Sequence, residues 1–161
     1  MTSPIITNQK GFTLVEILVV LAITGMLLAY AIPSFNGFSM RQKLSTETNS
    51  FISDLSYARS EAIDKGALVI VESLNGANWE GGWDIYFVLP NGVRENLRMK
   101  QNTPGDITIT AFPDIDMITY DGQGGLRSDP LTFTIQKNPE FPNFITLSVL
   151  PSGMITSSRS F

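Results

Sequence analysis

The 161-residue chain has no cysteine and no histidine. Without cysteine there is no disulfide scaffold, no thiolate metal site and no thiol nucleophile. Without histidine the commonest general base and the commonest metal ligand are both missing, which excludes Ser–His and Cys–His catalysis. Charge is sparse and its balance acidic: net charge is −4 and the pI about 4.7. Setting aside Lys10 and Glu16 leaves 10 basic and 14 acidic residues from Ser34 onward, so that part alone is also −4. Such a chain is poorly suited to non-specific polyanion binding, which needs a basic surface. The expectation is a protein with no catalytic residues, no cofactor and no metal.

Long hydrophobic runs are equally scarce, with one exception. Phe12 to Ile32 is a run of 21 residues in which Glu16 is the only charge. As a helix it would extend about 31 Å, matching a hydrocarbon core of about 30 Å. A short polar stretch, residues 1–11, precedes it. After Pro33 the pattern becomes amphipathic: Leu44, Thr48, Phe51, Leu55, Ala58 and Ala62 recur at helical spacing. Lys65 and Gly66 then supply a basic last turn and a C′ residue, the expected stop. The expectation is one long helix, with residues 12–33 as a transmembrane and assembly segment, residues 34–66 as an amphipathic half, and Pro33 as a kink between them.

Residues 67–161 read as strands and turns. Candidate strands are Leu68–Glu72, Trp83–Leu89, Val93–Lys100, Ile107–Ala111, Met117–Tyr120, Leu131–Gln136, Phe144–Leu150 and a short one at Met154–Thr156. Pro90-Asn91-Gly92 signals a hairpin. Val93, Glu95, Leu97 and Met99 alternate with Arg94, Asn96, Arg98 and Lys100, predicting a mostly apolar and a wet face. The fold class is α+β: a long N-terminal helix packed on an antiparallel β-sheet head.

Lys10-Gly11-Phe12-Thr13-Leu14-Val15-Glu16 carries the most information. A carboxylate in an apolar span costs about 2.5–3.5 kcal/mol on insertion scales if it reaches the helix centre, so it calls for a partner. Cleavage between Gly11 and Phe12 would create an α-amino group that could pair with Glu16 of an adjacent subunit. Losing either charge would strand the other in a low-dielectric bundle. Pairing would thus set subunit register.

These residues, followed by the apolar span and Pro33, resemble the class III signal of type IV prepilins and type II secretion pseudopilins. The resemblance implies the type IV pilin fold, cleavage after Gly11 by a prepilin peptidase, N-methylation of Phe12, and Glu16 as the assembly carboxylate. Leu55-Ser56-Tyr57-Ala58-Arg59-Ser60-Glu61-Ala62-Ile63-Asp64-Lys65-Gly66 is similar to the end of the long helix in the GspH/FimT group of minor pilins. Gly82-Trp83-Asp84-Ile85-Tyr86-Phe87 and Ile145-Thr146-Leu147-Ser148-Val149 resemble that group's glycine–tryptophan strand and closing strand. Many members carry a cysteine pair in the head, and this chain has none.

Three functions follow from the resemblance. The first is a minor pilin of a type IV pilus that primes or caps filament assembly. The second is a GspH-type pseudopilin of type II secretion, and the third a DNA-binding pilin with Arg159 as the contact. The implied partners are other pilins or pseudopilins and the prepilin peptidase. The implied location is the bacterial inner membrane, single-pass with the head in the periplasm, and then the filament.

Plainer readings stand beside these. The apolar run could be a signal peptide cut at Ala29-Tyr30-Ala31, but it exceeds the usual 7–15 residues and contains Glu16. Arg59 and Glu61 read as a solvated helix face with ordinary pairs such as Glu61–Lys65, the alternative being that Arg59 caps sheet carbonyls or contacts a neighbouring subunit. Trp83 reads as a core strand residue and Trp79 as a loop residue. Asp114, Asp116 and Asp121 have oxygen donors suited to calcium but lack the twelve-residue loop pattern. Asp121-Gly122-Gln123-Gly124-Gly125 reads as a flexible turn.

Overall fold

The computed structural model describes residues 11–89, 91–103, 105–137 and 143–160, without the side chains of 31–34 and 36. Residues 1–10 of the expected leader, 1–11, and Pro90 of the expected hairpin lie outside the described residues. Helix α1 spans Leu14–Lys65. The chain divides into two units, residues 1–39 and 40–161.

In the first unit every side chain from Gly11 to Tyr30 is exposed. Apolar residues point in all directions, with Leu14 at 76%, Leu21 at 61% and Met26 at 70% exposure. A helix that is hydrophobic all round belongs inside something else, a membrane or a bundle. Among the described residues no helix is long and apolar enough to cross a membrane. The described side chains of the run stop at Tyr30, short of its end in the sequence. Pro33 falls within the bounds of α1.

The second unit has its own core. The expected stripe of α1 is buried at all six positions, and the buried Thr48 hydroxyl donates to the Leu44 carbonyl at 2.8 Å. The helix ends as expected: Gly66 has φ +57°, its N–H bonds the Ile63 carbonyl, and the Ala67 N–H bonds the Ala62 carbonyl. That is a Schellman closure.

Eight strands follow among the described residues: β1 Val69–Ser73, β2 Gly82–Val88, β3 Arg94–Gln101, β4 Ile107–Phe112, β5 Met117–Tyr120, β6 Leu131–Lys137, β7 Phe144–Val149 and β8 Ile155–Ser160. Each predicted strand is present with its ends within one residue of expectation, except that β8 runs four residues further, to Ser160. They form two four-stranded sheets, ordered β3-β2-β1-β5 and β4-β6-β7-β8, where the sequence had suggested one. All pairings are antiparallel. Phe51 ties the layers together. Its ring meets Trp83 of the first sheet at 4.7 Å, Phe133 of the second at 5.0 Å, and Trp79 at 5.8 Å, all edge-on. Such contacts add to the value of burial.

Two expectations need correction. Trp79, expected as a loop residue, lies in a short 3₁₀ turn and is fully buried, its indole N–H donating to the Ile115 carbonyl at 2.9 Å. β3 lacks the expected mostly apolar face: of Val93, Glu95, Leu97 and Met99 only Leu97 packs against the core, while Val93 just before the strand and Met99 are about half exposed, at 53% and 48%. Its cations instead reach for acidic partners, and the register shifts opposite Ile85 and Tyr86.

Candidate functional site

The motif residues meet at the start of α1. Thr13 Oγ1 accepts a hydrogen bond from the Glu16 N–H at 3.2 Å, and the Thr13 carbonyl accepts from the Ile17 N–H. Thr13 is thus the N-cap. Glu16 stands at the third helical position, where the positive end of the helix dipole favours a carboxylate. This local role goes beyond the expected register-setting one, and the Thr13-Leu14-Val15-Glu16 spacing of a capping box carries it. The Glu16 carboxylate itself is exposed and has no partner among the described residues. Gly11 and Phe12 precede the helix outside regular structure, both exposed, so their peptide bond is open to an enzyme.

In the head, charged residues join α1 to β3. Asp54 is 5% exposed; it accepts from the Trp83 indole N–H at 3.0 Å and from Arg98 Nη1 at 2.6 Å. Lys100 Nζ donates to Glu47 at 2.6 Å and to Ser50 Oγ at 2.9 Å. Sequence reasoning missed this group. Its signal was Glu47, Ser50 and Asp54 recurring at helical spacing beside the apolar stripe.

Arg59 follows its alternative reading as a cap on carbonyls, though on turns and not on strands. Its guanidinium donates to the carbonyls of Gly124 at 2.8 Å and Ser152 at 3.2 Å, holding two turns against the helix. The Glu61–Lys65 pair does form, at 3.5 Å. The glycine-rich turn is pinned: Asp121 Oδ1 accepts from the N–H groups of Gln123 and Gly125, both at 2.9 Å. Gly122 lies so close to Gly66 that a Cβ would come within 2.6 Å of its backbone. With Asp121 committed to its own turn, Asp114, Asp116 and Asp121 do not assemble a calcium site. Among the described residues no group of three or more such side chains is placed to hold a metal ion.

The outer face of the first sheet holds another polar group. Tyr86 O–H donates to Glu72 at 2.8 Å, and Arg94 donates to the same carboxylate at 3.0 Å while lying 4.2 Å over the Tyr86 ring. Burial first, then the bond to Glu72, pushes the Tyr86 phenol up to about 12. Burial also raises Asp84, which pairs with Glu72 across β1 and β2. Asp106 is lowered, first by its hydrogen bond from Lys137. Arg159 is exposed on β8, whose other residues are uncharged.

Comparison with known proteins agrees with this anatomy. The family model of the type II transport protein GspH matches residues 47–153, and the prokaryotic N-terminal methylation motif matches residues 6–32. A fimbrial protein of Pseudomonas aeruginosa is 29% identical over 104 residues, covering 64% of this chain and 67% of its own length. The crystal structure of the type IV minor pilin FimU of Pseudomonas aeruginosa superposes with a TM-score of 0.66 at 25% identity, covering 75% of this chain and 92% of FimU. The minor pseudopilin EpsH of the Vibrio cholerae type 2 secretion system shares the fold, with a TM-score of 0.56 at 14% identity over 72% of this chain and 96% of EpsH. Matched over most of its head by the GspH model and at its start by the methylation motif, the chain belongs to the GspH family of type IV pilin-like proteins, whose members are structural proteins and not enzymes.

Proposed function

We propose that this chain is a minor pilin of a type IV pilus, made as a prepilin, cut between Gly11 and Phe12, methylated on Phe12, and used to prime or cap the filament. The observation that carries the proposal is the unbroken exposure of side chains from Gly11 to Tyr30. A surface so apolar is stable only when lipid or other helices cover it. Before assembly the span holds the protein in the inner membrane with its head in the periplasm. In the filament the same surface packs against other pilins, and Glu16 receives the α-amino group of a neighbour. Pro33 lets the helix bend where these two environments meet.

The likeness to FimU, at higher identity than to EpsH, supports the pilus over the secretion machinery. A pseudopilin role in type II secretion is the second reading, favoured by the name of the matching family model. Deleting the gene separates them. The pilus reading expects surface pili to be lost with protein secretion intact, and the reverse outcome would overturn it. DNA binding through Arg159 has weaker support, because β8 offers no second cation.

A further inference from the structure

The outward side of the β4-β6-β7-β8 sheet has an unusual chemistry. The inward side chains, such as Ile109, Phe133 and Leu147, are buried in the core. The cross-strand register sorts the outward ones into three rows of four. The middle row is Thr110, Thr134, Thr146 and Ser158. One flanking row is Phe112, Thr132, Ser148 and Thr156; the other is Thr108, Gln136, Phe144 and Ser160. No position carries a charge, although 16% of the whole chain is charged. The rows step about 4.8 Å between strands and about 6.8 Å along them.

The hydroxyls are also available. Thr108 donates to the Gln136 carbonyl, and Thr156 makes a long contact to the Ser148 carbonyl. All four hydroxyls of the middle row lack a partner among the described residues. Two aromatic rings stand out of this face, Phe112 at 79% exposure and Phe144 at 39%. Counted in strand and row steps, they lie about 17 Å apart on a diagonal through the hydroxyls.

We infer that this face binds a neutral glycan, its hydroxyls exchanging hydrogen bonds with the middle row and its sugar rings lying against Phe112 and Phe144. The chemistry selects that partner over others. Nucleic acid and anionic lipid require cations, and this face has none. The core of a protein contact is enriched in methionine and arginine and depleted in serine, whereas ten of these twelve positions are Ser, Thr or Gln. A hydroxyl donates and accepts, which suits a ligand made of hydroxyls. An exposed ring supplies the apolar surface that a sugar face can cover.

The test uses the full chain in a detergent without sugar headgroups, titrated calorimetrically with cellohexaose, chitohexaose and maltohexaose. At least one should bind saturably. Thr134→Glu should weaken that binding by about tenfold, and Phe112→Ala by about fivefold. Both variants should keep the tryptophan fluorescence of the folded head. Failure of all three sugars to bind, or binding indifferent to both substitutions, overturns the inference. Loss of co-purification with other pilins in Thr134→Glu, with no sugar bound by the parent, would make the face a subunit contact and overturn it too. None of these outcomes bears on the Gly11–Glu16 region, so the assembly proposal stands or falls separately.

Discussion

Residues 14–30 and 40–65 belong to the same helix, yet they solve opposite problems. The first stretch shows every side chain to its surroundings, while the second buries Leu44, Phe51, Leu55, Ala58 and Ala62 against two sheets. Helix propensity does not separate them; the width of the apolar surface does. A stripe finds its partner within the chain, and a full cylinder must find it in lipid or in other subunits. The head is therefore expected to govern stability, and the bare segment assembly.

The most damaging test of that division is Phe51→Ala in the full chain. Phe51 is fully buried among Trp79, Trp83 and Phe133. The expected loss is about 3–5 kcal/mol, read from denaturant unfolding by tryptophan fluorescence. A loss below about 1 kcal/mol would mean that α1 is not held by this core.

Asp54→Ala comes next. It removes the acceptor shared by Trp83 and Arg98, leaving a buried indole N–H unpaired, so about 1–3 kcal/mol should be lost. Asp54→Asn retains an acceptor for Trp83 and should fall between the parent and Asp54→Ala.

A smaller effect is expected in alkali. The Tyr86 phenol is raised to about 12 from an ordinary 10.0. The folded head binds this proton more tightly than the unfolded chain, so the associated stability is complete below pH 10.0 and lost as pH rises toward about 12. Unfolding at stepped pH should show this decline, and Tyr86→Phe should make it shallower, leaving the share of Tyr120 and Tyr57, which burial also raises. An identical alkaline slope in both proteins would remove Tyr86 as its source.

The smallest effect sharpens the comparison from the other side. Leu18 is 57% exposed in the bare segment. Leu18→Ala should shift head stability by no more than about 0.5 kcal/mol. A larger shift would mean that the first segment contributes to the head's core.

Much of this was legible in the sequence, because periodicity records burial. The stripe from Leu44 to Ala62, the Gly66 stop and the strand-rich region all follow from local pattern. What was not legible depended on distant partners. β3 alternates like a half-buried strand, but its cations meet Glu47 and Asp54 more than forty residues away. Trp79 sits among turn residues, and only the Phe51–Phe133 cluster around it explains its burial. Arg59 looked solvated because the carbonyls it holds lie on two turns far along the chain. Two sheets cannot be told from one by strand count, since pairing is a tertiary property. At the helix start, Gly11, Phe12 and Glu16 were recognisable as a motif, while the Thr13 cap was carried by a Thr-x-x-Glu spacing that the motif reading passed over.

The central claim is that the bare apolar segment, with its one carboxylate, is an assembly surface. Glu16→Lys tests it most directly, followed in parallel by membrane fractionation and by cross-linking to the other pilins. The expected outcome is a protein that reaches the membrane but is absent from the filament, because a lysine would face a neighbour's α-amino group inside the bundle. Normal incorporation of Glu16→Lys would contradict it.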